Sequence, residues 1–372
     1  MKKKLIALVC ALALAVGLVG CSLSTPDSVG TIGEVDIPSG LYLLAQFDAY
    51  QTAADLASDD QDSTKVSSFL KATITVDDAT GETAVVSDYV AQKTLENLES
   101  YAAIETRFDE LGGVLTPDEE TQADSYASQL MEQNGDLYKA NGIGLDTLKR
   151  FERILIKSTD LLELVYGVDG ETPVSDADLT SHLENQMYKL AYYSIPLYNS
   201  STYAFADDDQ KGTMLRLAQA AVDSYNASAP ADAVSQFTAF HEVSSAALSG
   251  IYAVLDSTVP TDGTASLQTE LLSSSTLDSA FSTEGSADTI RSLSFGQAAA
   301  VQYSSLSMML AVRLDPLDGA ALDDVRAQVL ADLKSDELQD ALAAYGASMQ
   351  HSLDSSAMGK LPARKIAAAS SN

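Results

Sequence analysis

The stretch YAAIETRFDELGGVLTPDEE, residues 101–120, decides the fold class. Tyr101, Ile104, Phe108 and Leu111 continue a series begun by Leu95 and Leu98, every third or fourth residue. That spacing puts them on one helical face, and Gly112-Gly113 ends the helix. A second helix starts at once. Thr116 suits the cap, Pro117 the first helical position, and Glu119 completes a capping box. Ala123, Tyr126 and Leu130 give it an apolar face, and Asn134-Gly135 is expected to stop it. Two long helices joined by a tight turn predict a helical unit.

Upstream, residues 29–37 (VGTIGEVDI) alternate like a strand or hairpin with a glycine turn. Pro38 and Ser39 lead into a helix from Gly40 to about Leu56, with Leu41, Leu44, Phe47 and Tyr50 on one side. Residues 57–64 (ASDDQDST) read as a solvated acidic connection, and Phe69 to Val86 as a short irregular or extended segment. Downstream, a helix runs from Leu145 through Leu148, Phe151, Leu155, Leu162 and Val165 to Gly167, and Ser175 with Asp178 caps a shorter one. The pattern then changes. KLAYYSIPL (189–197) and LSMMLAVRL (306–314) read as strands, and Asp207-Asp208-Asp209 opens a helix with acids at its positive end. Between Asn226 and Gln302 the chain is rich in Ser, Ala and Thr and the reading is weak. Beyond Pro316 and Gly319 a last amphipathic helix is expected over 321–349, packing against residues 30–185. The prediction is a mostly helical α+β protein: a discontinuous helical domain, 29–185 completed by 318–350, with an inserted α/β domain at 186–317 and a disordered tail at 351–372.

Across the 372 residues there are 22 Lys and Arg against 53 Asp and Glu, a net charge of −31. Such a surface repels phosphate backbones, which argues against nucleic acid as a partner. A hydrophobic fraction of 46% supports real cores. No phosphate-binding glycine loop occurs, and no cofactor is expected. His241-Glu242 lacks a G-x-S-x-G elbow, and His182 and His351 lack a second ligand at metal spacing, so no catalytic or metal site is expected from them. Asp59-Asp60-Gln61-Asp62 and Asp207-Asp208-Asp209 lack the spacing of a calcium loop and read as acidic turns or helix starts.

The N-terminus is the most specific signal. Lys2, Lys3 and Lys4 precede an apolar run from Leu5 to Val19, which is short for a membrane span and has signal-peptide flanks. It closes in Leu18-Val19-Gly20-Cys21, which looks like a bacterial lipobox. Residues 1–20 are then a cleaved signal, Cys21 the acylated first residue, and 21–28 a tether. Cys10, the other cysteine, lies in the apolar run of that signal. This places the mature chain on the membrane, facing outside the cytoplasm, with membrane lipid as a partner through Cys21.

With its lipobox, strand-then-helix entry, the helical pair at 101–120 and Val174-Ser175-Asp176-Ala177-Asp178-Leu179 before a strand, the sequence resembles the SurA/PrsA-type extracytoplasmic foldases. The resemblance implies a peptide-cradling chaperone domain and an inserted parvulin-type prolyl isomerase domain. Its partners would be unfolded or nascent secreted polypeptides, bound without ATP. The family's two histidines fall at Ser194 and at Met308 or Met309, and its glycine-rich turn survives only as Ser249-Gly250-Ile251-Tyr252, so the inserted domain is expected to be degenerate and non-catalytic. Tyr42, Phe47, Tyr50, Tyr101 and Phe108 are candidates for a client groove, although at helical spacing most of such aromatics are expected to be packed core. The alternatives are an active isomerase with a divergent site and a solute-binding lipoprotein of a transporter.

Overall fold

A computed structural model describes residues 25–368. The chain divides into two compact units, one made of residues up to Pro173 together with those from Lys334 on, the other of Val174–Leu333. In the first unit β1 (Ser28–Ile32) and β2 (Val35–Pro38) form an antiparallel hairpin, turned by Gly33 at φ 57°. α1 (Ser39–Asp55) buries Leu41, Leu44, Phe47 and Tyr50. α2 (Val66–Phe69) is followed by a second hairpin, β3 (Thr73–Asp77) with β4 (Glu82–Val85). α3 (Val86–Glu110) buries Val90, Leu98, Ala102 and Phe108.

α4 (Pro117–Ala140) begins with the capping box, in which the Glu119 amide donates to Thr116 Oγ1 at 3.3 Å and the Thr116 amide to the Glu119 carboxylate at 2.7 Å. The expected stop at Asn134-Gly135 is a bend instead. Asn134 leaves helical geometry at φ −129°, and the helix resumes because Leu137 and Tyr138 beyond it join an apolar cluster. α5 (Leu145–Tyr166) completes this stretch.

In the second unit α6 (Asp176–Gln186) leads into β5 (Met187–Pro196). α7 (Asp208–Asn226), α8 (Ala233–Ala253), β6 (Gln268–Ser273), α9 (Ser274–Ala280), α10 (Ser286–Arg291), β7 (Ala298–Gln302) and β8 (Ser307–Leu314) follow. The sheet order is β6-β5-β8-β7, antiparallel throughout. Side chains alternate across it. Tyr193, Ile195, Met308 and Leu310 join Met214, Val222 and Phe240 on one face, while Leu190, Met309 and Ala311 join Leu277, Phe281 and Ile290 on the other. Burial on both faces is why β5 and β8 read as near-continuous apolar runs.

The chain returns through α11 (Arg326–Ser348), β9 (His351–Leu353) and α12 (Ser355–Gly359). Within the first unit the second half of α11 buries Leu338 and Leu342, and the Tyr345 hydroxyl donates to Glu110 at 3.0 Å. A Cβ at Gly346 would lie 2.4 Å from the Glu99 carbonyl oxygen, so glycine lets α11 approach α3 this closely.

Three expectations need correction. The units meet at Pro173/Val174 and Leu333/Lys334, not near 186 and 318. α6 belongs with the second unit because Asp176 pairs with Arg326 at 2.7 Å, His182 with Asp332 at 2.7 Å, and the Glu184 carbonyl accepts from Arg313 at 2.8 Å. The helix expected to lie wholly with the first domain accordingly starts in the second unit, where Val329 and Leu330 are buried. The tail is not disordered over residues 351–368: β9 pairs with β1, Leu361 is buried, and Ile366 packs on apolar clusters. Residues 1–24 and 369–372, and with them the signal peptide and Cys21, lie outside the described residues.

Candidate functional site

The positions singled out on β5 and β8 meet across the sheet. Ser194 pairs with Met309, and Ile195 with Met308. Ser194 and Met309 share one face; Met308 lies on the other, in the buried core with Tyr193 and Ile195. The Ser194 hydroxyl is 2.9 Å from that of Tyr303, whose ring packs on Phe281 with centroids 5.4 Å apart. Tyr192 follows on the same face, its hydroxyl held protonated well above the usual phenol range by burial and by the neighbouring Glu270 carboxylate. The pair of hydroxyls can donate and accept hydrogen bonds. It contains no carboxylate or imidazole to exchange a proton near neutral pH.

Where β5 ends, the chain builds an exposed aromatic loop. Tyr198 bridges to Phe205, and their rings meet edge-on at 6.1 Å. Asn199 is only 9% exposed. Its Oδ1 accepts from the Ser201 amide at 2.9 Å and the Thr202 amide at 3.1 Å, while Nδ2 donates to the Leu255 carbonyl at 2.8 Å. This Asx turn drives Tyr203 to φ 56°, with 75% of its surface exposed beside Phe205 at 69%. Leu306, 48% exposed, joins the same end of the sheet because its carbonyl accepts from the Leu197 amide at 2.8 Å. Sequence reading missed this loop and Tyr303. The available signal was a Tyr-x-x-x-x-Tyr-x-Phe pattern inside an Asn/Ser/Thr turn.

Phe47, Tyr50 and Phe108, offered as a client groove, are buried in the core. Tyr50 is fully buried against Phe69, its hydroxyl donating to the Ser63 carbonyl at 2.5 Å and pushed up to about 12 by burial, with Asp62 adding. Phe47 meets Tyr138 edge-on at 6.3 Å, and Phe108 lies under Lys157 at 5.2 Å. Tyr42 and Tyr101 are half-buried: Tyr42 accepts from Gln46 at 3.1 Å and Tyr101 packs on Phe151 at 5.6 Å.

His241 lies exposed on α8, with Nδ1 2.6 Å from the Tyr193 hydroxyl. His351 approaches Glu99 at 3.3 Å. Asp62 is taken up by Thr64 and Lys65, and Asp207 caps α7. Among the described residues no group of three or more His, Cys, Asp or Glu is placed to hold a metal, and no helix is long and apolar enough to cross a membrane.

Comparison with solved structures matches this chain to PrsA foldases from three bacteria. The foldase protein PrsA from Streptococcus pneumoniae is matched at 12% identity and TM-score 0.39, covering 74% of this chain and 94% of that one. PrsA from Bacillus subtilis matches at 12% identity and TM-score 0.28, covering 78% and 92%. The Lactococcus lactis foldase protein matches at 11% and 0.29, covering 86% of each chain. No family profile and no curated protein matches the sequence.

Proposed function

We propose that this chain is an ATP-independent chaperone for unfolded or nascent secreted polypeptides, anchored outside the cytoplasm through acylated Cys21. The observation that carries the reading is the loop at the end of β5. Left-handed backbone at a residue other than glycine costs about 1–2 kcal/mol, and exposed Tyr203 recovers none of it by burial. Tyr203, Phe205 and Leu306 are apolar residues exposed at the same end of the sheet on a chain of net charge −31, suited to the side chains of an extended client. The anionic surface keeps protein and client soluble.

The Ser194–Tyr303 pair favours a second reading, a prolyl isomerase working with hydroxyls alone. Isomerisation has a barrier of about 18–20 kcal/mol, and one hydroxyl pair offers little to stabilise the twisted amide selectively. A solute-binding lipoprotein would require two α/β lobes. The first unit is chiefly helical, and every strand pair among the described residues is antiparallel.

The test sets the purified mature chain against a denatured client prone to aggregate and, side by side, against a short proline peptide. Suppressed aggregation with isomerisation at the uncatalysed rate is expected. Robust isomerisation would move the function to the second reading, and failure in both assays would end the chaperone proposal. In cells, Cys21→Ala should release the protein from membranes or leave it unprocessed; unchanged fractionation and processing would remove the anchor from the account.

A further inference from the structure

The C-terminal segment lies in the first unit as a peptide lies in a binding site. Leu361 is 8% exposed, and its carbonyl accepts from Gln46 Nε2 at 3.3 Å. After the turn Ala363–Lys365, Ile366 takes extended geometry (φ −55°, ψ 132°). It packs against two clusters, one containing Tyr50 and Phe69, the other Phe47 and Leu148. Asn141, 7% exposed, then clamps the next residue. Its Nδ2 donates to the Ala367 carbonyl at 2.9 Å, and its Oδ1 accepts from the Ala367 amide at 2.9 Å.

Both polar contacts read backbone, and both apolar seats take aliphatic side chains, so the site selects shape and hydrophobicity rather than a sequence. Arg364 and Lys365 stay exposed, and no ion pair among the described residues engages them. They place a cationic stretch on a strongly acidic chain. Were the segment to leave, the Asn141 carbonyl oxygen and one of its N–H groups would lose their partners inside a nine-tenths buried position. The next extended backbone to arrive would satisfy both.

We propose that this seat is a binding site for extended, apolar and basic polypeptide segments, and that the chain's own residues 360–368 occupy it until such a segment displaces them. The proposal deepens the chaperone reading and rests on it only for the ligand's origin.

The probe is a fluorescent peptide with the sequence of residues 360–368, titrated into the full mature chain and into its Ile366→Asp variant, whose own tail is weakened. The variant should bind the peptide at least tenfold more tightly than the unaltered chain, and adding Asn141→Ala should abolish that gain. A peptide with Glu at its three basic positions should bind less well to the same variant. Equal binding to both proteins, or none to a folded Ile366→Asp variant, overturns the proposal. Should that variant not fold, hydrogen exchange at the Ala367 amide of the unaltered chain decides. Excess peptide must accelerate it, and an unchanged rate overturns the proposal. Displacement by the peptide alongside failed aggregation suppression would end the chaperone reading and leave the seat standing.

Discussion

Two buried asparagines do similar chemistry with different consequences. Asn199 and Asn141 are 9% and 7% exposed, and each divides its amide between carbonyl acceptors and backbone N–H donors. Asn199 works locally, closing a turn on Ser201 and Thr202 and pinning it to Leu255. Its turn cannot drift away, because its donors lie two and three residues along the same chain. Asn141 reaches Ala367 across 226 positions, so the segment it holds can leave without unfolding the turn around Asn141 itself. A local closure makes a permanent fixture, here a pedestal for Tyr203; a remote one makes a contact open to competition.

Substitutions should separate the two in a graded way. Asn199→Ala strands the Ser201 and Thr202 amides and the Leu255 carbonyl, and should cost about 3 kcal/mol in urea unfolding. A loss below about 1 kcal/mol would mean that the loop is not held by that side chain. Asn141→Ala should cost less, about 1–2 kcal/mol, because half-buried Ala367 can turn to water. Its signature is local: the Ala367 amide should lose protection from exchange while the α1 amides keep theirs. Were both sets to exchange together, the tail would be an inseparable part of the unit.

Tyr203→Gly relieves the positive φ and should raise stability by about 0.5–1 kcal/mol while weakening client binding. A loss of stability would show that the Tyr203 ring packs more than its exposure suggests. The smallest effect concerns the start of the tail. Burial holds the Glu99 carboxyl above its ordinary 4.5, with His351 opposing. The folded state then binds this proton more tightly than the unfolded one, and this contribution to stability falls as pH rises from about 4.5 through the raised value. Glu99→Gln should flatten that part of the urea-midpoint profile, and an unaltered profile would place the slope elsewhere.

Regular periodicity was legible. The pair around Thr116, the face of α1 and the strands β5 and β8 follow from apolar spacing and capping chemistry that act within a few residues. α8 was obscure because its buried stripe includes Ala233, Gln236 and Ser244, so the polar residues break the pattern that marks a helix face. The tail looked disordered because Leu361 and Ile366 are sparse apolar residues in a polar, basic stretch, and their partners lie hundreds of positions upstream. The opposition of Ser194 and Met309 was within reach of alignment, but the Tyr303 hydroxyl and the Asn199 turn depend on side-chain geometry that spacing does not encode.

The central claim, that the aromatic loop receives unfolded chain, is tested most directly by the affinity of the full mature protein for a reduced, carboxymethylated client that cannot fold. The same titration is run on the Tyr203→Ser/Phe205→Ser variant, with its melting followed in parallel. The account predicts saturable binding by the unaltered protein and at least about tenfold weaker binding by the variant, as expected when two exposed aromatic anchors are lost from a contact. Equal affinity in the two proteins, at unchanged melting, would contradict it.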